Sequence, residues 1–303
     1  MSVETIPRDR TLVGVGWMVL SGFFFVGVTG IVRHLGSDLP AVEAAFLRYA
    51  FGTLLMAPAF MALLRRPPGR RQMGLYAGRG FVHGFGVMLW FYAMQRIPIA
   101  EVTAIGYTAP IFVTIGAAMF LGEPLQLRRI MAVVAAFVGA VIILRPGLQE
   151  VSSGQLAQLG AAPLFAASYL MAKKFTEGED PGVIVAMLSL FCTLTLLPGA
   201  IWQWREPTSE EVGWLALTAL IATAGHYTLT RAFEAAPITV TQPVQFLQLV
   251  WATLLGMAVF GEPLDAFVLI GGGVIVGSAT YISHREAALA RRARTPPAQA
   301  TKL

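Results

Sequence analysis

Ten stretches of about 20 mostly apolar residues, each long enough to cross a bilayer as a helix, run through this chain. They lie at roughly 12–33, 41–64, 74–95, 98–121, 126–145, 154–174, 181–203, 211–234, 237–261 and 265–284. Short connections separate them: RRPPGRR, LGEP, RPG, EGEDPG, WREPTSE and FGEP. Inside hydrocarbon every backbone donor must be satisfied within its own segment, so these runs predict spanning helices. A membrane β-barrel would show alternating segments of about ten residues instead, and the sequence has none. Only 13% of the residues are charged, against about 25% in soluble domains. A soluble core of this size would lack polar residues to cover it. The predicted fold is an all-α membrane protein.

The net charge of +5 does not point to nucleic acid, because the basic residues form short clusters between apolar runs. Those clusters set orientation by the positive-inside rule. With a cytoplasmic N-terminus, sixteen of the 22 Lys and Arg residues fall inside and four, Arg33, Arg96, Arg145 and Arg205, fall outside. Arg48 and Arg79 lie within spans. Both termini are therefore expected in the cytoplasm. Arg8 and Arg10 precede the first run as in a signal peptide, but the run is too long and lacks a small-residue cleavage pattern, so it is read as a retained helix. The single Cys192 excludes an internal disulfide and reads as a small buried apolar side chain.

The turn Gly122-Glu123-Pro124-Leu125 recurs as Gly261-Glu262-Pro263-Leu264, 139 positions later. The same shift places Pro98 on Pro237, Thr114 on Thr253 and Gly86 on Gly225. Two landmarks at opposite ends of one helix stay in register, which indicates a duplication. The unit holds five helices. Five is odd, so the second copy enters the membrane from the opposite side, giving an inverted repeat of the kind secondary transporters use. The expected organisation is an N-terminus over 1–11, a first repeat over 12–147, a second over 154–284, and a loose basic tail over 285–303 attracted to anionic lipid. In each turn, Gly122 or Gly261 ends a helix with φ > 0 and Pro124 or Pro263 starts the next. Glu123 and Glu262 read as turn residues rather than proton sites.

Ten helices as five plus five, the GEP turns after the fourth and ninth, LPAVEAAFLRYAFG (39–52) and WFYAMQRIPIAEVTAIGYTAPIF (90–112) resemble the drug/metabolite transporter superfamily, EamA type. The resemblance covers nearly the whole chain. It implies a multi-pass permease of the bacterial cytoplasmic membrane, with a central cavity lined mainly by spans 1, 3, 4, 6, 8 and 9. Members export amino acids and other metabolites, while relatives with similar motifs take up riboflavin or S-adenosylmethionine. Arg48 matches the family's second-helix Arg, and Leu188 is its rough counterpart in the second half.

Ionisable residues inside spans are costly and become functional candidates. Arg48 either binds a substrate carboxylate or phosphate bidentately or bonds backbone carbonyls and fixes packing. Glu43, about 140° around the helix from it, is a candidate for proton coupling near the interface. Trp90 has a cavity role or an interfacial one; His83 reads as a hydrogen-bonded packing residue. Thr103, Tyr107, Pro110 and Thr114 share one stripe of span 4, kinked at Pro110, and suit a cavity wall. Glu101 is a second coupling candidate. In span 9, Gln242, Gln245 and Gln248 need partners that lipid cannot give, and the repeat sets them opposite the span 4 stripe. His226 is the better placed histidine for coupling or substrate contact, with Tyr227 on the next stripe. Tyr169, in a span carrying Pro163, completes the candidates. Gly273 and Gly277 form a small-xxx-small face, read as an internal contact with a homodimer seam as the alternative.

These features predict a secondary transporter for a small polar or amphipathic metabolite such as an amino acid, a nucleoside-like or a vitamin-like compound, working by alternating access, in the direction of efflux. Its partners are that small molecule and the lipid bilayer. An uptake permease is the alternative. No P-loop supplies ATP, and no cofactor or metal is called for. The four His residues are scattered and form no catalytic set, so an intramembrane enzyme is the remote reading.

Overall fold

The computed structural model describes residues 8–65, 67–109, 112, 127–145, 150–236, 241, 244–245 and 247–294. Among them every regular element is a helix: α1 (Arg8–His34), α2 (Ala41–Leu55), α3 (Ala57–Arg65), α4 (Arg70–Met94), α5 (Ile99–Gly106), α6 (Leu127–Leu144), α7 (Ser153–Phe175), α8 (Pro181–Trp202), α9 (Ser209–Ala235), α10 (Leu247–Phe260) and α11 (Ala266–Arg294). Three are long and apolar enough to cross a membrane on length and composition alone: Leu12–His34, Pro181–Trp202 and Ser209–Ala235. Leu54, Met61, Phe137, Leu220 and Ile270 stay exposed on outer faces. Water would penalise that apolar surface; lipid does not.

Local signals fix the helix starts. Ser152 and Gln155 form a capping box ahead of α7, and Thr208 and Glu211 form another ahead of α9. Each box satisfies two orphan N–H groups. Asp180 accepts from Gly182 N at the start of α8, with Pro181 at the first position, where no N–H is missed.

Three elements depart from expectation. The second span is not one helix: it breaks at Met56 between α2 and α3. Pro58 has no N–H to give the Leu54 carbonyl and its ring crowds that turn. The second GEPL turn does hold Gly261 at φ 63, the left-handed conformation that favours glycine. Yet Pro263 does not start α11. That helix begins at Ala266, where Asp265 Oδ1 accepts from Phe267 N at 2.8 Å. The tail is not loose from 285 onward, since α11 continues to Arg294 through the Ala-rich run EAALARRAR, a strong helix former. Gly122, Glu123, Pro124, Pro110, Thr114 and residues 295–303 lie outside the described residues.

Helix pairs pack between the two halves of the chain. Along α1 and α9, Gly14 meets Ala236, Ser21 Oγ bonds Gly225 O at 3.0 Å, and Gly27 meets Ile221, so the two run antiparallel. Along α4 and α7, Gly86 meets Leu164, His83 meets Ser168 and Tyr76 stacks on Phe175, again antiparallel. The two pairs match in detail. A methyl group at Gly14 would fall 2.5 Å from Ala236 Cβ; at Gly154 it would fall 3.0 Å from Ile97. At Gly225 it would meet Phe24 Cβ at 3.2 Å; at Gly86, Leu164 Cβ at 3.2 Å. Arg33 Nη1 donates to Met94 O, and Lys173 Nζ donates to Phe233 O.

The predicted Gly273/Gly277 contact is not made inside the fold: a side chain at either would meet open space. Two earlier positions do the packing. A methyl at Gly139 of α6 would stand 2.6 Å from Gly271 O, and one at Gly271 of α11 would stand 2.5 Å from Gly139 O. The glycine run was read correctly as an interface former; the face it uses is rotated by about 200°, two residues along the helix.

Candidate functional site

A central cavity of about 150 Å³ opens between the two halves. Helix α1 contributes Phe25, Val28 and Thr29; α2 contributes Arg48 and Tyr49; α4 contributes His83, Val87, Trp90 and Phe91. Thr103 and Gly106 of α5 and the following Tyr107 form one wall. Gln158, Phe165 and Tyr169 of α7, His226 of α9, and Gln245 with Gln248 of α10 close the other. The contributing helices are those implied by the family resemblance, with α2 added.

Of the predicted contact residues, Arg48, Trp90, Thr103, Tyr107, Tyr169, His226, Gln245 and Gln248 all line this cavity. The structure does not bring Tyr227 in. It is 39% exposed, because one residue along a helix turns the side chain about 100° away from His226. Gln242 lies outside the described residues. The span 4 stripe and span 9 meet directly, with Tyr107 Oη donating to Gln245 O at 3.0 Å.

Sequence reasoning missed Tyr49, Gln158 and the aromatic walls, and took His83 for packing alone. His83 Nδ1 does pack, 2.9 Å from Ser168 Oγ, but the ring also lies in the wall, 5.3 Å from the His226 ring. The walls are matched across the halves: Phe25 lies edge-on to His226 and Phe165 edge-on to His83, each 5.1 Å away. Phe25 and Phe165 correspond at a shift of 140, one residue off the 139 that aligns the GEPL turns, so the repeat as read from those turns sets Phe25 on Leu164 instead.

Glu43 and Glu101 are not in the cavity. Glu43 is fully buried and its Oε2 accepts from Arg205 N at 3.0 Å. Glu101 accepts a hydrogen bond from Gln155 Nε2. Both sit at the end of the bundle where α1 finishes and α5 begins. Glu262 of the second GEPL turn belongs there too, and it reaches across the halves. Its Oε2 accepts from Ile99 N, the start of α5, at 2.9 Å, and its Oε1 pairs with Arg33 Nη2 at 3.0 Å. Gly256 leaves room for that carboxylate. Close by, Arg145 pairs with Asp265 at 2.7 Å. Partial burial works against the Asp265 charge, but the Phe267 N–H, the Arg145 guanidinium and the Val268 N–H outweigh it and hold its pKa below the usual carboxylate range. Among the described residues no group of three or more His, Cys, Asp or Glu is placed to hold a metal ion.

A model of the EamA-like transporter family matches residues 12–145 and 152–284. A riboflavin transporter of Vibrio cholerae is 30% identical over 292 residues, 95% of this chain and 98% of the relative. An S-adenosylmethionine uptake transporter of Rickettsia bellii is 27% identical, covering 90% and 94%. A pseudopaline exporter of Pseudomonas aeruginosa is 26% identical, covering 89% and 95%. A solved crystal structure shares the fold over 95% of this chain and 99% of its own, with a TM-score of 0.59 at 19% identity.

Proposed function

The chain belongs to the EamA-like transporter family, and on that premise we propose that it carries a small polar or amphipathic metabolite across the bacterial cytoplasmic membrane by alternating access. Ten spans form two inverted five-helix halves with both termini in the cytoplasm. The matched contacts of α1 with α9 and α4 with α7 support this pseudo-twofold arrangement. Inverted halves can exchange conformations, so that a site between them opens to one face and then the other.

What carries the reading is a largely apolar cavity enclosed by both halves, with a few polar groups that have no partner among the described residues. Arg48 Nη1, His83 Nε2 and Gln158 Oε1 are buried and unbonded. Arg48, Trp90, Thr103, Tyr107, Tyr169, His226, Gln245 and Gln248 contact the cargo, and Gln242, at the position equivalent to Thr103, joins them. His226, the coupling candidate that faces the cavity, moves the proton. Glu43 and Glu101 are set aside for that role because neither lines the cavity; each accepts a hydrogen bond at the helix ends. Those bonds, with Arg33–Glu262, tie the outer end of the bundle shut in the state described. Export is the proposed direction. Uptake is the second reading, favoured by relatives named for S-adenosylmethionine uptake.

Two measurements test this. Chemical labelling of cysteines placed in the two GEPL turns must find them on opposite faces of the membrane; the same face for both ends the inverted scheme. Reconstituted vesicles exposed to a metabolite mixture must exchange at least one compound that empty vesicles do not, unchanged in structure. A chemically altered product without net movement would favour an enzyme instead.

A further inference from the structure

The cavity wall holds donors with nothing to donate to, and no acid. Arg48 is only 5% exposed, and its Nη1 has no hydrogen-bond partner among the described residues. Its guanidinium lies 3.8 Å from the centre of the Tyr49 ring. That contact occupies a face of the guanidinium and leaves N–H groups in its plane to be met. Beside it, Ser168 Oγ accepts from Arg79 Nε at 3.3 Å and lies 2.9 Å from His83 Nδ1. His83 Nε2 is buried with no hydrogen-bond partner among the described residues, and it donates or accepts according to the tautomer. Among the described residues no Asp or Glu lines the cavity. A guanidinium at membrane depth with no counter-ion is costly to keep.

Resting on the transport reading above, we propose that the cargo carries a carboxylate or phosphate group, bound by the guanidinium of Arg48, with His83 Nε2 meeting a polar group beside it. Both anions present the acceptor oxygens that Arg48 lacks. The rest of the cargo supplies an N–H or O–H to Gln158 Oε1, which lines the same cavity and is unbonded. An apolar part of the cargo packs against the Phe25 and Phe165 rings of the wall. The cargo class is an amphipathic organic acid with at least one donor, and net cations without an acidic group are excluded.

The test uses full-length protein in vesicles exposed to a bacterial metabolite extract, with contents read by mass spectrometry for wild type, Arg48→Gln and Arg48→Lys. Carboxylates or phosphates are expected inside wild-type vesicles, with accumulation at least about tenfold lower in Arg48→Gln and partly restored in Arg48→Lys. The compounds recovered tell carboxylate from phosphate. Neutral or cationic compounds that accumulate regardless of Arg48→Gln overturn the anion assignment and leave transport standing. No accumulation of any compound removes the transport reading, and the anion assignment falls with it. A second readout needs neither cargo nor transport. Trp90 shares the cavity, so its emission, taken as wild type minus Trp90→Phe, is quenched with iodide and with neutral acrylamide. Iodide quenching is expected to fall about threefold or more in Arg48→Gln, since the fixed charge no longer concentrates anions there, while acrylamide quenching holds. Equal iodide quenching in both proteins overturns the site.

Discussion

Two regions of this bundle bury charge, and they treat it in opposite ways. At the end where α1 finishes and α5 begins, carboxylates have an opposite charge or a backbone N–H on them: Glu262 is held by Arg33 and Ile99 N, Glu43 by Arg205 N, and Asp265 by Arg145, although Glu43 Oε1, Arg145 Nε and Arg205 Nε are themselves unbonded among the described residues. In the central cavity, Arg48 Nη1 and His83 Nε2 are buried with no hydrogen-bond partner among the described residues, and no opposite charge lies in the described wall. A buried ionic group with partners is part of the scaffold. Removing one partner leaves the other uncompensated, which costs about 3–5 kcal/mol when the pair is deeply buried. A buried donor without a partner already carries that cost, which the proposed anionic cargo would relieve.

The sharpest way to break this comparison is to substitute in the cavity. Arg48→Ala and Gln245→Ala should each cut transport by about tenfold or more with membrane insertion intact, and their melting temperatures should stay near wild type. A large stability loss in Arg48→Ala would make that residue scaffold after all. The reverse pattern is expected at the tied end. Glu262→Gln removes the ion pair to Arg33 and weakens the α5 cap, and should lower stability by about 1–3 kcal/mol. It should also open the outer route. Cys192 is fully buried, so a cysteine placed at Gln248 is the one thiol an impermeant reagent can find, and its labelling from outside should rise in Glu262→Gln. Unchanged labelling would remove these bonds from the closure.

The smallest effect is expected at Asp265, whose partners are part-exposed. Asp265→Asn keeps a capping side chain and loses only the part-exposed charge pair to Arg145, and should cost about 0.2–1 kcal/mol. The folded pKa of Asp265 is depressed. Its contribution is therefore present above the ordinary Asp range and is lost as pH falls through the folded value. The melting difference between wild type and Asp265→Asn should close on acidification below that range; a difference independent of pH would mean the charge does nothing.

Much of the site could be read in the sequence because polar residues stand out against apolar spans. Arg48, Tyr107, His226, Gln245 and Gln248 stand out that way. Periodicity says which residues share a face, but not which face turns inward when lipid and core are both apolar. That ambiguity misplaced Tyr227 and chose Gly273 over Gly271. The break at Met56 was signalled by Pro58, but the hydropathy of the run masked it. Glu262 was read as a local turn residue because its partners Arg33 and Ile99 are brought close only by the fold. The unmet donors could not be seen at all: a missing partner is a property of the packed structure.

The crossing of α6 with α11 sets a limit on how the molecule can move. Where Gly139 and Gly271 bring main chain against main chain, the side chains of Ile275 and Ile143 already occupy the space a methyl group would need, and sliding one helix along the other would drive bulkier neighbours into the gap. On the proposed alternating-access cycle that pair is a fixed post about which the halves would rock, and an alanine at either glycine would splay it without touching the cargo.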